Sequence, residues 1–130
     1  MDAAQALSDL TEISSQIESA ALFGEDGALG ASTFADEARA QAFVRAAREL
    51  LDAAAGLRSS ASPNQVEVAT AEGSIFVVRD DGRLIAATTT PEPTVGLVFY
   101  DLKSCRRSVD AAGPKAKRAP RKTEARDGAT

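Results

Sequence analysis

The stretch from Ser74 to Leu102, SIFVVRDDGRLIAATTTPEPTVGLVFYDL, decides the fold of this chain. Ile75 to Val78 is apolar at every position, which is typical of a central strand covered on both faces of a sheet. Asp80-Asp81-Gly82 is a turn sequence, because glycine readily adopts the positive φ of a tight hairpin. Leu84 to Thr89 predicts the partner strand. Thr90 and Pro91 are then expected to begin a closing helix that reaches about Val109.

The residues before this stretch predict a helix and a first hairpin. Asp2 to about Ser15 carries apolar residues at helical spacing, which predicts a short helix. Ile17 to Ser32 predicts two strands joined by a G-E-D-G turn at Gly27.

A long helix is predicted over residues 34–57, which contain no proline and no glycine before Gly56. Thr33 is expected to cap it, with Asp36 three positions later in the capping-box place. The apolar and alanine residues of this helix occupy more than one stripe. A helix that covers one side of its own sheet needs a single stripe, so the extra surface predicts close approach by a second helix.

The segment Gln65 to Thr70, QVEVAT, alternates apolar and polar residues and predicts an edge strand. An edge strand exposes main-chain hydrogen-bonding groups, so it must be paired or protected. Glu67 is its only charge. We therefore expect this strand to pair with another chain.

Charge divides the chain into an acidic body, residues 1–112, and a basic tail, residues 113–130. Residues 1–113 hold 17 acidic and 9 basic side chains, and the remainder holds 2 acidic and 6 basic ones. The tail lacks core-forming residues, so we expect it to be disordered. Its candidate electrostatic contacts are Lys115, Lys117, Arg118, Arg121 and Lys122. They are expected to be solubilising or to meet the acidic body, with nucleic acid or anionic lipid as the alternative.

The composition argues against an enzyme. The chain has no histidine and one cysteine, which excludes histidine-based bases, the usual zinc sites and an internal disulfide. No phosphate-binding glycine loop is present. We therefore expect no catalytic residue, no metal and no cofactor.

The reactive side chains that remain have structural interpretations. Cys105 lies on the apolar side of the last helix and is expected to be a buried packing thiol. The pairs Glu25-Asp26 and Asp80-Asp81 are expected to be solvated turn formers rather than acid–base pairs.

Two signals bear on the location of the protein. The sequence has no apolar run long enough to span a membrane, and its first residues carry acids where a signal peptide needs bases. We expect a cytoplasmic protein.

Three motifs, in this order and spacing, give the chain a family resemblance. They are ALFGEDGALGAS (21–32), ATAEGSIFVVRDDGRLIAATT (69–89) and PTVGLVFYDLK (93–103). Together they resemble the roadblock / dynein light-chain family over about residues 5–110. The resemblance implies an α+β fold, in which a five-stranded antiparallel sheet carries the long helix on one face and the terminal helices on the other. The implied element order is α-β-β-α-β-β-β-α.

The resemblance also implies a homodimer that pairs the long helix and the strand at 65–70. On this basis the expected dimer interface comprises Ala38, Phe43, Ala46, Ala47, Leu50, Ala54, Val66, Glu67 and Val68. The expected core comprises Leu22, Ile75, Phe76, Val77, Val78, Leu84, Val98, Leu102 and Cys105.

Family members are non-enzymatic, and bacterial ones commonly act with Ras-like small GTPases. The resemblance therefore implies an interaction module that regulates or scaffolds such a GTPase. The alternative is a small-molecule sensory module of the profilin-like or PAS-like kind, which would need a cavity between the sheet and a helix. A weaker alternative is an accessory protein that binds nucleic acid or an anionic membrane through the tail.

Overall fold

A computed structural model describes residues 2–57 and 64–112 of the chain. These residues form three helices and five strands in the predicted order. The elements are α1 (Ala3–Ile13), β1 (Ile17–Gly24), β2 (Leu29–Ser32), α2 (Glu37–Ala55), β3 (Gln65–Thr70), β4 (Gly73–Asp80), β5 (Arg83–Thr89) and α3 (Val95–Ala112).

The strands form one antiparallel sheet in the order β2-β1-β5-β4-β3. Helix α2 packs on one face, while α1 and α3 pack together on the other. The predicted α+β class is therefore confirmed, and β3 is an edge strand as its alternation predicted. Strand β4 is bonded on both sides, as its continuous apolar run predicted, and β5 is the third of the five strands.

Two apolar clusters fill the two faces of the sheet. Phe76 and Val78 point toward α1 and α3, whereas Val77 and Leu84 point toward α2. Of the predicted core, all members are buried except Ile75, which is half-buried. Ile75 pairs with Val68 of the edge strand, where α2 covers the sheet incompletely.

Helix α2 begins three residues later than its sequence suggested. Its N-cap is Asp36, whose Oδ1 accepts a hydrogen bond from the Ala38 N–H at 2.8 Å. Thr33 instead ties the end of β2 to β1, because its hydroxyl accepts the Ala20 N–H at 2.9 Å. The Thr33 hydroxyl thus binds Ala20 of the neighbouring strand and does not cap α2, although the local sequence pattern predicted a cap.

Helix α3 also begins late, at Val95 rather than Pro91. The Thr90 N–H donates to the Gln16 carbonyl at 2.9 Å, and Glu92 has a positive φ of 55°. The hydrogen bond holds Thr90 beside Gln16, and Glu92 cannot continue a right-handed helix because its backbone is left-handed. Residues 90–92 therefore form a connection and not the first turn of α3. The Thr94 N–H donates to the Gln16 side chain, so the segment after α1 and the start of α3 are joined here.

Two predicted segments lie outside the described residues. They are the connection at 58–63 and the tail with Lys115, Lys117, Arg118, Arg121 and Lys122. Among the helices of residues 2–57 and 64–112, none combines the length and apolarity that a membrane crossing requires.

Candidate functional site

One flank of α2 is apolar and only partly covered by the sheet. Ala40, Val44 and Leu51 point into the core, because residues three and four apart share a helix face. Phe43 and Leu50 lie beside them, half-buried and in contact with the same cluster. A monomer therefore leaves apolar surface open along one side of this helix.

The opposite flank of α2 is charged and faces the first hairpin. The Arg48 guanidinium lies so close to Gly27 that a Cβ there would approach its Nη1 to 2.6 Å. By helical spacing, Phe43 and Leu50 lie on the other side of α2 from Arg48 and form an apolar band against the same cluster. Val66 and Ile75, both half-buried, complete this apolar band.

The outer edge of β3 carries unpaired main-chain groups. The Asn64 carbonyl accepts the Arg79 N–H at 2.7 Å, and these residues continue the register that pairs Gln65 with Val78. In an antiparallel ladder alternate residues bond to the same neighbour. The N–H and C=O groups of Gln65, Glu67 and Ala69 therefore point outward, and no strand of the described residues pairs with them.

The nine predicted interface residues do not all lie on this surface, and five of them need comment. Ala47 is only 1% exposed and packs against the sheet of its own chain, so its side chain is not accessible to a second chain. Glu67 pairs with Phe76 and thus lies on the α1/α3 face, opposite Val66 and Val68. Ala54 is half-buried, whereas Ala38 and Ala46 are exposed on the outer side of α2.

A second cluster joins the β4–β5 turn to the last helix. The Asp80 carboxylate accepts hydrogen bonds from Arg107 Nε at 2.8 Å and from Arg106 Nη2 at 2.9 Å. The Arg106 side chain is 3% exposed. Asp80 is therefore an ion-pair acceptor and not the solvated turn former that its sequence context suggested. The residues are 26 and 27 positions apart, so no local pattern reveals the contact.

Asp80→Asn is expected to lower the free energy of unfolding at pH 7 by about 2 kcal/mol, since a buried arginine loses its charged acceptor. The hydrogen bonds from Arg107 and then Arg106 hold the pKa of Asp80 below its usual range. A depressed carboxyl pKa stabilises the fold above the unfolded value of about 3.9, and this stabilisation is lost as pH falls through the folded value. In urea unfolding, the parent chain should thus have a larger free energy of unfolding than Asp80→Asn at pH 7, and this difference should disappear below about pH 4.

The matched control for this prediction is Asp81→Asn. Asp81 is exposed and has a φ of 57°, which asparagine tolerates well. We expect a change within about 0.5 kcal/mol. The role given to Asp80 would be contradicted if both substitutions lowered the free energy of unfolding equally. It would also be contradicted if the difference between the parent and Asp80→Asn persisted in acid.

Cys105 is buried, and its thiol donates to the Ala6 carbonyl at 3.4 Å. Burial, assisted by the negative charge of Asp9, raises the pKa of Cys105 to about 11. This agrees with the packing role predicted from its helical position.

The thiol of Cys105 is expected to be nearly inert in the native state. At pH 8 a pKa of about 11 leaves about one thiolate in a thousand, so alkylation should run at least about a hundredfold slower than in urea-unfolded chain. The rate of iodoacetamide labelling, followed by mass spectrometry, measures this. Equal rates with and without urea would show that the thiol is open to solvent.

The described residues offer little for small-molecule chemistry. They contain no group of three or more acidic, cysteine or histidine side chains arranged to hold a metal. A cavity of about 220 Å³ lies between the sheet and the ends of α1 and α3, with Leu22, Val109, Arg83 and Arg106 among its lining residues. Ligand pockets are usually about 300–1,000 Å³, so this cavity gives weak support to a sensory function.

Comparisons with known proteins rest on structure alone, since no family model and no curated protein matches the sequence. A Roadblock/LC7 domain from Streptomyces avermitilis matches with a TM-score of 0.74 and 22% identity, over 86% of this chain and 98% of that one. The gliding protein MglB from Thermus thermophilus matches with a TM-score of 0.62 and 15% identity, over 84% and 86%. A profilin, LokiProfilin1 in complex with rabbit actin, matches at 0.57 and 13% identity, over 82% and 93%. These likenesses establish the fold and confirm the roadblock resemblance.

Proposed function

We propose that this chain, which has the Roadblock/LC7 fold, is a non-enzymatic module that forms a homodimer and regulates or scaffolds a small Ras-like GTPase. The observation that carries the self-association is the unpaired edge of β3 beside the half-buried apolar band of α2, both within the described residues. Edge strands without protection pair readily with another chain, and apolar surface at the same place adds burial.

A two-fold dimer fits this surface. In such an interface the same patch meets itself, so two copies of β3 would run antiparallel and extend the sheet across both chains. Glu67 sets the register, because like charges directly opposite each other destabilise a strand pair. If the two-fold axis passes through Val66 or Val68, the two Glu67 side chains do not lie opposite each other. The outward N–H and C=O groups of one β3 still face those of the other.

The GTPase part rests on the fold. Bacterial proteins that resemble the roadblock family commonly act with Ras-like GTPases, and a gliding protein, MglB, is among the structures with this fold. Regulation by contact needs no catalytic group in the regulator, which agrees with a chain that lacks histidine. Such a protein would act in the cytoplasm.

The test uses the full chain and the Ras-like GTPases of its source organism, each loaded with GDP or a non-hydrolysable GTP analogue. We expect at least one to bind with a nucleotide preference of about tenfold or more, measured by titration calorimetry. Single-turnover GTP hydrolysis with and without the chain then separates acceleration from scaffolding. A stable homodimer that binds none of these GTPases would refute the regulatory role and leave self-association intact.

A further inference from the structure

Exposed apolar residues concentrate on the other face of the molecule, on α1 and α3. Ile13 is 75% exposed, Leu97 48% and Tyr100 68%. Large exposed hydrophobic side chains that cluster, rather than scatter, usually mark an interaction surface. This face lies across the sheet from α2, so it remains open when α2 and β3 are occupied.

Ile13 lines a groove between the two helices, and Tyr100 and Leu97 lie on α3 one residue and one turn before Asp101, which also lines it. The helices run antiparallel, since Cys105 contacts Ala6 while Thr94 contacts Gln16 beyond the far end of α1. The groove has a volume of about 190 Å³, and its lining includes Leu10, Ile13 and Asp101. Leu97 lies one turn before Asp101 on the same helical stripe, and Tyr100 lies one turn beyond Leu97.

Two carboxylates line the apolar groove. Asp101 is half-buried, and burial raises its pKa. Asp9 accepts a hydrogen bond from the Gln5 amide at 2.9 Å, and neither carboxylate has a cationic partner within the described part of the chain. A partly desolvated carboxylate gains from an added cation, so the groove favours a ligand that is both apolar and basic.

We propose that the surface formed by Asp9, Ile13, Leu97, Tyr100 and Asp101, here called the α1–α3 surface, binds a basic amphipathic helix of a partner protein. Two antiparallel helices present ridges and a groove into which a third helix packs. Apolar anchors of the partner contact Ile13 and Leu97, and lysine or arginine side chains reach Asp9 and Asp101. The proposal does not depend on the homodimer or on a GTPase.

The basic tail of this same chain is a poorer occupant. Residues 114–130, PKAKRAPRKTEARDGAT, supply positive charge but no large apolar side chain. They would pair with Asp101 and leave Leu97 and Ile13 uncovered. The apolar half of the surface therefore points to a different polypeptide.

The chain provides its own reporter for the test, because Tyr100 is its one tyrosine and it has no tryptophan. The probe is a designed, end-blocked helical peptide of about 18 residues, long enough to be helical, with leucines on one face, lysines and arginines beside them and no aromatic residue. A second peptide replaces each basic residue with glutamate. We expect the basic peptide to change Tyr100 fluorescence at micromolar concentration and the acidic one to bind at least about tenfold more weakly.

Substitutions locate the binding. Leu97 is exposed and Asp101 is half-buried. Leu97→Ser and Asp101→Asn should each weaken binding of the basic peptide about tenfold. The matched controls are Leu57→Ser, an exposed leucine just after α2, and Asp81→Asn at the β4–β5 turn, which should leave the affinity unchanged. Circular dichroism confirms that each variant is folded.

Three results would overturn the proposal. One is that the basic peptide, at up to about millimolar concentration, binds no more tightly than the acidic one. Another is an equal loss of affinity for the basic peptide in the control variants and in the two variants of the α1–α3 surface. The third comes from a full-length variant in which five basic residues of the tail are changed to glutamine: Lys115, Lys117, Arg118, Arg121 and Lys122. If that variant binds the basic peptide at least about tenfold more tightly, the tail itself occupies the surface.

Discussion

Gly73→Ala is expected to destabilise the fold by at least about 3 kcal/mol, which combines backbone strain with a clash that cannot relax. Gly73 has a φ of +146°, which side chains rarely adopt, and an added Cβ would lie 2.1 Å from the Thr89 carbonyl oxygen. That oxygen belongs to β5, the middle strand, which is bonded on both sides. Urea unfolding followed by circular dichroism measures the loss.

Two other glycines serve as controls for this prediction. Gly82 also has a positive φ, +77°, but no described atom lies within 4 Å of the place that a Cβ would take there, so Gly82→Ala should cost only about 1–2 kcal/mol. Gly96 lies in the first turn of α3 with open space around it, and Gly96→Ala should stabilise by up to about 1 kcal/mol. If Gly73→Ala cost no more than Gly82→Ala, the close approach of Gly73 to β5 would be wrong.

Because Gly73 begins β4 directly after the β3–β4 turn, its loss would also affect the proposed interface. Thr70 stabilises the same turn, since its hydroxyl donates to the Gly73 carbonyl at 2.7 Å. A turn forced out of shape would displace β3, whose outer edge is the surface proposed for pairing. We therefore expect any folded Gly73→Ala protein to self-associate less than the parent chain.

Ala46→Glu is expected to convert the proposed homodimer into a folded monomer. Ala46 is exposed in the single chain, so the substitution costs the monomer little. A two-fold interface brings both copies of α2 together, and each added carboxylate would be desolvated near its symmetry mate. We expect the dimer dissociation constant to rise at least about a hundredfold, equivalent to about 2.7 kcal/mol.

Ala4→Glu is the matched control, because Ala4 is an exposed alanine of α1 on the other face of the sheet. Sedimentation velocity at micromolar concentration should give about twice 13.5 kDa for the parent and the control, and 13.5 kDa for Ala46→Glu. A monomeric parent, or equal dissociation of both variants, would remove α2 from the interface. Ala47→Glu is not a useful test, since Ala47 is buried in its own core and the substitution would disrupt the fold.

The sequence determined the elements that depend on local pattern. The continuous apolar run at Ile75–Val78, the Asp-Gly turns and the alternation in Gln65–Thr70 specify strands and their ends, because side-chain direction has a fixed period along a strand. The apolar flank of the long helix was predicted for the same reason. Much of the candidate interface was thus predicted from residues near one another in the chain.

Only the tertiary structure decided which residues of these elements are accessible. The expected interface included both Ala46 and Ala47, but α2 packs on the sheet so that Ala47 is buried and Ala46 is exposed. Asp80 meets Arg106 because β4 and α3 end at the same corner. Leu97 and Tyr100 resemble ordinary helix residues in the sequence, and only the folded chain shows that no other described element covers them. Burial is set by how elements pack against one another, and contacts between residues far apart in the chain leave no periodic trace in the sequence.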